Sequence, residues 1–287
     1  MRNKSEELKY YELLKSRRSL EKEEQSRYLS LLRGYQGECQ LDNYIETIIG
    51  DTTYYIKDLT LHHSRTTQID SLLMTNDTMY QFEVKNYSSN LVWDGYDWKF
   101  DSGFCLSDDP SVQLMRSCNI LKALLQELGY KKKLIPILVF INPDTFVDLR
   151  SETSVKTLRS YEIRNFLEEI KSSYFAGTST DRKWKNQICQ SLLKCKSEWR
   201  FETPKDIDVP KGVICSECGN TNLVFTNQLV KCSCGKIERK GDALIRTIKE
   251  AQQLLPDFKL KRKNVRDFTE DAFSVSSITR ALRKLRN

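Results

Sequence analysis

Residues 81–87 read QFEVKNY, a run typical of a buried strand that nevertheless carries two charged side chains, Glu83 and Lys85. Because side chains alternate across a strand, these two residues lie on the same face of a sheet. Two explanations fit such a pair. It forms a salt bridge on a solvated face, or it holds a metal ion and a reacting group in place.

The residues before this segment supply its partner strand. Asn76 and Asp77 tolerate the left-handed conformations that a two-residue hairpin turn needs, so we place a turn there. The resulting pairing brings Asp70 directly opposite Glu83. Opposed carboxylates repel each other, and a divalent cation such as Mg²⁺ between them would remove that penalty. A surface network neutralised by Lys85 is the alternative that spacing alone leaves open.

The composition is that of a globular chain with one basic end. Of the 287 residues, 39% are hydrophobic and 30% are charged, which excludes a disordered chain. No apolar run approaches the roughly 18 residues of a membrane span, and the charged N-terminus does not resemble a signal peptide. We therefore expect a cytoplasmic protein, with no membrane partner and with reduced cysteines.

The excess positive charge is concentrated near the C-terminus. The net charge is +7, and residues 236–287 hold 14 Lys and Arg against 7 Asp and Glu. A localised positive segment favours a polyanionic partner, with nucleic acid the first candidate. A basic tail that only aids solubility is the alternative.

The order of secondary-structure patterns predicts an α/β domain with a mixed sheet. Helical patterns cover residues 5–33, 34–50, 111–129, 155–171 and 184–198. Strand patterns lie between the second and third helices. The apolar run LIPILVFI at 134–141 is typical of a central strand that is buried on both faces.

Several of these segments resemble one known family. GYQGE, TQID, FEVKNY, the following Trp93 and the helix opening PSVQ are similar to the nuclease-related domain (NERD) of the PD-(D/E)XK nuclease-like superfamily. The resemblance covers residues 34–150, with Asp70 thirteen residues before the ExK motif. It departs from the family in NYSSN, where a glycine is often found, and this affects the shape of a loop rather than the acids.

The resemblance implies a restriction-endonuclease-like fold, in which helices flank a mixed β-sheet, and a nuclease that uses Mg²⁺ or Mn²⁺. It implies that Asp70 and Glu83 bind this metal and that Lys85 is the catalytic lysine. Glu38 would be the accessory acid, and Gln113 would orient the substrate or Lys85. DNA is the expected substrate, and the sequence does not exclude RNA. A catalytically idle DNA-binding or adaptor protein with the same fold is the alternative function.

A cysteine-rich segment follows a linker that contains Pro204 and Pro210. Its two close cysteine pairs have the spacing of a four-thiolate zinc site, although one pair is C-x-C where C-x₂-C is usual; the residues are Cys215, Cys218, Cys232 and Cys234. The segment resembles a zinc ribbon, in which the Zn²⁺ is structural. Such ribbons bind nucleic acid or proteins, so the zinc does not identify the partner.

The basic tail after the ribbon carries an amphipathic helix with Val275, Ile278, Leu282 and Leu285 on one face, and we expect Ser276 or Ser277 to cap it. A helix-turn-helix and a terminal helix docked on the body are both compatible with the pattern. The candidate nucleic-acid-binding residues are Lys261, Arg262, Lys263, Arg266, Arg280, Arg283 and Lys284.

These patterns divide the chain into five expected segments. They are a helical segment at 1–33, the nuclease-like domain at 34–175, a helix and linker at 176–212, the zinc ribbon at 213–240 and the basic tail at 241–287.

Overall fold

The computed structural model describes residues 2–63, 65–130, 132–175, 178–197, 201–204 and 207–286. The chain forms two units by its internal contacts. One comprises Met1–Asn3 and Leu32–Trp199, and the other comprises Lys4–Leu31 and Arg200–Asn287. We refer to them as the sheet unit and the ribbon unit. The five segment boundaries expected from the sequence remain predictions.

The described strands and helices are as follows. The strands are β1 (Tyr55–His62), β2 (Thr66–Met74), β3 (Thr78–Lys85), β4 (Leu91–Trp93), β5 (Trp98–Phe100), β6 (Lys133–Phe140), β7 (Val147–Leu149), β8 (Lys156–Arg159), β9 (Leu223–Phe225), β10 (Leu229–Cys232) and β11 (Ile237–Arg239). The helices are α1 (Glu6–Arg17), α2 (Lys22–Ile48), α3 (Pro110–Glu127), α4 (Ile163–Phe175), α5 (Ser179–Lys194), α6 (Lys240–Leu254), α7 (Arg262–Phe268) and α8 (Val275–Arg286).

The sheet unit is built on a mixed sheet with strand order β1-β2-β3-β6-β8. The first three strands are antiparallel, and β3, β6 and β8 run parallel to one another. β6, which is apolar and lies between β3 and β8, is the central strand predicted at 134–141. The predicted mixed α/β fold is therefore confirmed.

The predicted hairpin is also confirmed. Thr75 N donates to Thr78 O at 2.8 Å, which closes the two-residue turn Asn76-Asp77. The ladder that follows pairs Ser71 with Phe82 in the expected register. The turn and the alternation of apolar side chains set this register. A shift by one residue would move every apolar side chain of both strands to the opposite face.

A second, small sheet with order β5-β4-β7 lies beside the first. The segment NLVWDGYDWKF, predicted as strand, forms the hairpin of β4 and β5 within it. Trp98 from this sheet contacts Phe140 at the end of β6, with ring centroids 4.9 Å apart. The small sheet thus covers the end of β6, next to the end of β3 that carries Glu83 and Lys85.

Two helix predictions were wrong. The helix expected at 5–33 ends at Arg17, and α2 then runs through Gly34 without a break, because a glycine within a helix costs only about 1 kcal/mol. The helix expected at 155–171 begins as the short strand β8 and becomes helical only from Ile163. A short run of this kind cannot be assigned from periodicity alone, and its pairing with β6 decides the outcome.

The ribbon unit has its own core. α8 buries Ile278 and Leu282 in a cluster with Leu244 and Ile248 of α6. Both the helix-turn-helix and the docked terminal helix have such a buried face, so each stays a prediction. Two details of the predicted helix were wrong: Val275 is 52% exposed, and the hydroxyl that accepts from Ser277 N belongs to Ser274 rather than Ser276 or Ser277.

Within the described ranges, no helix is both long enough and apolar enough to cross a lipid bilayer.

Candidate active site and metal centre

Three predicted site residues lie on neighbouring strands of the large sheet. Asp70 is on β2, while Glu83 and Lys85 are two positions apart near the end of β3 and share a face. The pairing of Ser71 with Phe82 places the next pair, Asp70 and Glu83, opposite each other. Glu83 is only 4% exposed, so a salt bridge on a solvated face does not describe this pair.

Lys85 is held between its own strand and α3. Its Nζ donates to Oε1 of Glu83 at 2.8 Å and to Oε1 of Gln113 at 2.9 Å. A second hydrogen bond, from Gln81 Nε2 to Ser117 Oγ at 2.6 Å, joins β3 to the same helix. The ammonium group therefore has a fixed position beside the acids, and Gln113 contacts it directly.

Glu38 lies on α2 and is held by Arg2, a residue outside the predicted site. Arg2 Nη1 donates to Oε2 of Glu38 at 2.8 Å, while Nη2 and Nε donate to Asp42 at 3.0 and 3.2 Å. Nη2 also donates to Ser71 Oγ at 2.8 Å, and Tyr55 Oη donates to Asp42 at 2.6 Å. The Arg2 side chain is 1% exposed. It connects α2 to β2 and fixes the side chain of Glu38.

Asp58 is a further acid, and it lies next to Asp70 in the sheet. It lies on β1, and the pairs on either side of it in the β1–β2 ladder put it opposite Asp70. Its φ of +49° is unusual for a residue other than glycine. Its Oδ1 accepts from Gln68 Nε2 at 2.8 Å, which holds the side chain at the edge of the site.

Burial and mutual repulsion set the charge of these acids. Burial, followed by the negative charge of Asp70, raises the pKa of Glu38 to about 8 and that of Glu83 to about 7. Burial also raises the pKa of Asp70, against the hydrogen bond that Val84 N donates to its Oδ2 at 2.8 Å. Burial lowers the pKa of Lys85, but the charges of Glu83 and Asp70 outweigh it, and the net shift is upward. Burial is thus the main reason that these carboxyl groups resist ionisation, and the charge of Asp70 adds to it at Glu38 and Glu83.

Sequence reasoning missed two of these residues. Arg2 has no recognisable signal, because its partners Glu38 and Asp42 are 36 and 40 positions away. Asp58 left a weak signal, since an acid interrupts the apolar strand pattern of YYIKDLTL.

The four cysteines of the ribbon unit come together as predicted. Cys215 Sγ lies 3.6 Å from Cys234 Sγ, Cys218 Sγ lies 3.6 Å from Cys232 Sγ, and all four sulfurs are within 4.8 Å of one another. A tetrahedral site with Zn–S bonds of about 2.3 Å has sulfur–sulfur edges of about 3.8 Å. The sulfurs are too far apart for disulfides, whose S–S bond is about 2.05 Å, and can hold a metal ion.

The backbone turns next to the cysteines require a glycine in each of two positions. Gly219 and Gly235 have φ of +70° and +94°, the left-handed conformation that glycine adopts without strain. Gly219 N donates to Cys215 O at 3.0 Å, and Gly235 N donates to Cys232 O at 3.1 Å. These turns also allow the shorter C-x-C spacing, which sequence reasoning had treated as a departure.

The seven cations predicted to bind nucleic acid are exposed on the ribbon unit: Lys261, Arg262, Lys263, Arg266, Arg280, Arg283 and Lys284. Arg266 is bound to the carboxylate of Asp271, which weakens it as a phosphate contact.

The acid group thus lies on an α/β domain with a mixed sheet. The family model of the nuclease-related domain matches residues 33–141. The matched stretch begins within α2 and ends after β6. No curated protein and no solved structure matches the chain.

Proposed function

We propose that this protein is a metal-dependent nuclease that hydrolyses phosphodiester bonds in DNA. The observation that carries the proposal is the group of Asp70, Glu83 and Lys85, largely buried within a nuclease-related domain. Carboxylates placed opposite each other at a buried position destabilise the fold. A functional role, rather than a contribution to stability, accounts for such an arrangement.

The donor set fits Mg²⁺ or Mn²⁺. These hard cations prefer oxygen ligands, and Mg²⁺ is usually held by one or two carboxylates together with waters and phosphate oxygens. Asp70 and Glu83 would hold the ion. Across the described residues, no third acid joins them within ligand distance, which leaves room for water and substrate. When bound, the ion supplies Lewis-acid activation of the scissile phosphate and lowers the pKa of a bound water.

The remaining residues would stabilise the reacting phosphate or hold the groups that do so. The Lys85 ammonium, fixed by Glu83 and Gln113, stabilises the negative charge that develops on the phosphate. Gln113 orients Lys85. Glu38 is the accessory acid, and Arg2 holds it at the end of the sheet.

The ribbon unit would deliver the substrate. Zn²⁺ at the four cysteines has a structural role, because small ribbons of this kind fold on metal binding. The exposed cations of α7 and α8 supply contacts to phosphates. None of the nine cysteines, all of which lie in the described ranges, forms a disulfide, which suits the cytoplasm as the proposed compartment.

A cleavage assay with matched variants tests the proposal. Purified protein is incubated with linear, circular and single-stranded DNA and with RNA, in Mg²⁺, Mn²⁺ or EDTA. Glu83→Gln and Lys85→Met should each lower the cleavage rate by about 100-fold or more, the usual loss when one preorganised electrostatic group is removed. Glu168→Gln and Lys171→Met, which change the same charges on the exposed surface of α4, serve as controls and should cut like the wild type.

Two outcomes refute the proposal. Equal cleavage by the wild type and both site variants would exclude this site as the catalytic centre. Binding of DNA without cleavage in any metal would make the protein the catalytically idle alternative. Cleavage of RNA alone would replace DNA as the substrate and leave the site assignment in place.

A further inference from the structure

A cavity of about 520 Å³ lies within the ribbon unit. It is lined by the turn between β9 and β10, by the beginning of α6 and by one side of α8. Gln228 O of the turn accepts from Lys240 N of α6 at 2.8 Å. The walls of the cavity are therefore joined by the backbone rather than formed by loose side chains.

Four cations line this cavity: Arg239, Lys240, Arg280 and Lys284. Asp242 is the carboxylate that accompanies them. In the part of the chain that the structure describes, none of the four cations has a carboxylate within 4.0 Å, whereas Lys211, Lys236 and Arg266 of the same unit each lie against one.

The like charges have an energetic cost in the free protein. Arg280 and Lys284 are separated by four residues on α8, so their side chains are neighbours on one face and repel each other. Arg239 at the end of β11 and Lys240 at the start of α6 line the same cavity. The helix dipole favours a cation in the last turn of α8, which accounts for Lys284 and not for Arg280. An anion in the cavity would offset the repulsion of both pairs.

The cavity also has an apolar part. Leu229, Leu244 and Ala281 line it next to the amide side chains of Asn227 and Gln228. Ligand pockets commonly measure about 300–1,000 Å³ and combine an apolar lining with a few polar groups. The first turn of α6 also lines the cavity without a side-chain cap, so its N–H groups add to the attraction for an anion. A ligand with a flat apolar part and a phosphate matches this lining.

We infer that this cavity binds one nucleotide of a nucleic-acid strand. The phosphate lies between Arg239 and Lys240 on one side and the cations of α8 on the other, and the base lies on the apolar floor next to the two amides. The inference rests on the proposed function, for which it supplies a contact point on the strand. A free nucleotide has the same chemistry, and the experiment below separates the two sources.

The test is fluorescence anisotropy of full-length protein with a short labelled single-stranded DNA, in buffer without added divalent metal. Arg280→Gln/Lys284→Gln should weaken binding by about tenfold and reduce the slope of log K against log salt by about 0.7, since both side chains contact the same phosphate and one phosphate contact on a single strand contributes about 0.7. Lys211→Gln/Lys236→Gln removes the same charge from paired cations outside the cavity and should leave binding unchanged. Circular dichroism and zinc content establish that all proteins are folded.

Equal weakening by the two double variants would overturn the inference, because net charge alone would then explain binding. Unchanged binding by Arg280→Gln/Lys284→Gln would overturn it as well. A deoxynucleoside monophosphate should displace the strand better than the same concentration of inorganic phosphate, and equal displacement would refute the base contact. Failure of the wild type to bind any strand would refute the nucleic-acid partner itself, whereas wild-type binding with an unaffected cavity variant refutes only this site.

Discussion

The two glycines of α2 beside Glu38 should respond in opposite directions to the same substitution. A Cβ built at Gly34 meets no atom within 4 Å. Alanine is the better helix former by about 1 kcal/mol. Gly34→Ala should therefore raise the free energy of unfolding by about 1 kcal/mol or slightly less.

Gly37→Ala gains the same helix propensity but meets an obstruction. The added Cβ would lie 2.8 Å from Cβ of Asn86 and 3.1 Å from Cγ2 of Ile141, where carbon atoms normally lie about 3.5–4.0 Å apart. Asn86 Cβ is attached to the backbone and cannot rotate away. Overpacking of this kind costs about 1–3 kcal/mol, so after the gain in propensity we expect a net loss of about 1 kcal/mol.

The measurement is urea denaturation of the two variants and the wild type, followed by far-UV circular dichroism. Gly34→Ala should raise the transition midpoint and Gly37→Ala should lower it, with similar slopes. If Gly37→Ala were as stabilising as Gly34→Ala, α2 would not be seated against the ends of β3 and β6. The position of Glu38 next to the other acids would then be wrong as well.

Four further predictions concern charges and metals. Arg2→Ala should destabilise the protein by about 3–5 kcal/mol in urea denaturation, because it leaves the buried Asp42 without its main partner. Burial raises the pKa of Asp42, but its hydrogen bonds to Arg2 and Tyr55 lower the pKa below the usual value. The ionised Asp42 therefore contributes stability above about pH 4, and this contribution is lost as the pH falls below that value. Thermal unfolding at low pH should accordingly show that Asp42→Asn is less acid-sensitive than the wild type. Cys218→Ser should reduce the bound zinc measured by atomic absorption and unfold the ribbon. Mg²⁺ at 100 times its Kd should stabilise the wild type by about 2.7 kcal/mol and should have a much smaller effect on Asp70→Asn in calorimetry.

The hairpin of the site could be predicted because it is determined by neighbouring residues. Asn76-Asp77 specifies the turn, and the alternation of apolar side chains on β2 and β3 specifies the register. The cysteine group was predictable for the same reason, since the turns of each pair and their glycines are local. Each of these features requires only a few consecutive residues.

The features that escaped prediction depend on distant partners. Ile163 starts α4 after β8, whose strand conformation comes from pairing with β6. Arg2 is ordered by residues that come near it only after α2 and β2 have assembled. The continuation of α2 through Gly37 depends on its contact with Asn86. No pattern along the sequence reports such long-range contacts.

The ion pairs around the site indicate which acids contribute to stability and which acid serves function. Arg2 compensates Glu38 and Asp42, and Lys85 compensates Glu83. Within the described ranges, Asp70 has a backbone N–H as its hydrogen-bond donor and no ion pair. If the network served stability, an ion pair would be expected at Asp70 as at Glu38, Asp42 and Glu83. The carboxylate without an ion pair lies instead where β2 and β3 bring Asp70 and Glu83 together, and this is where an added divalent cation gains the most.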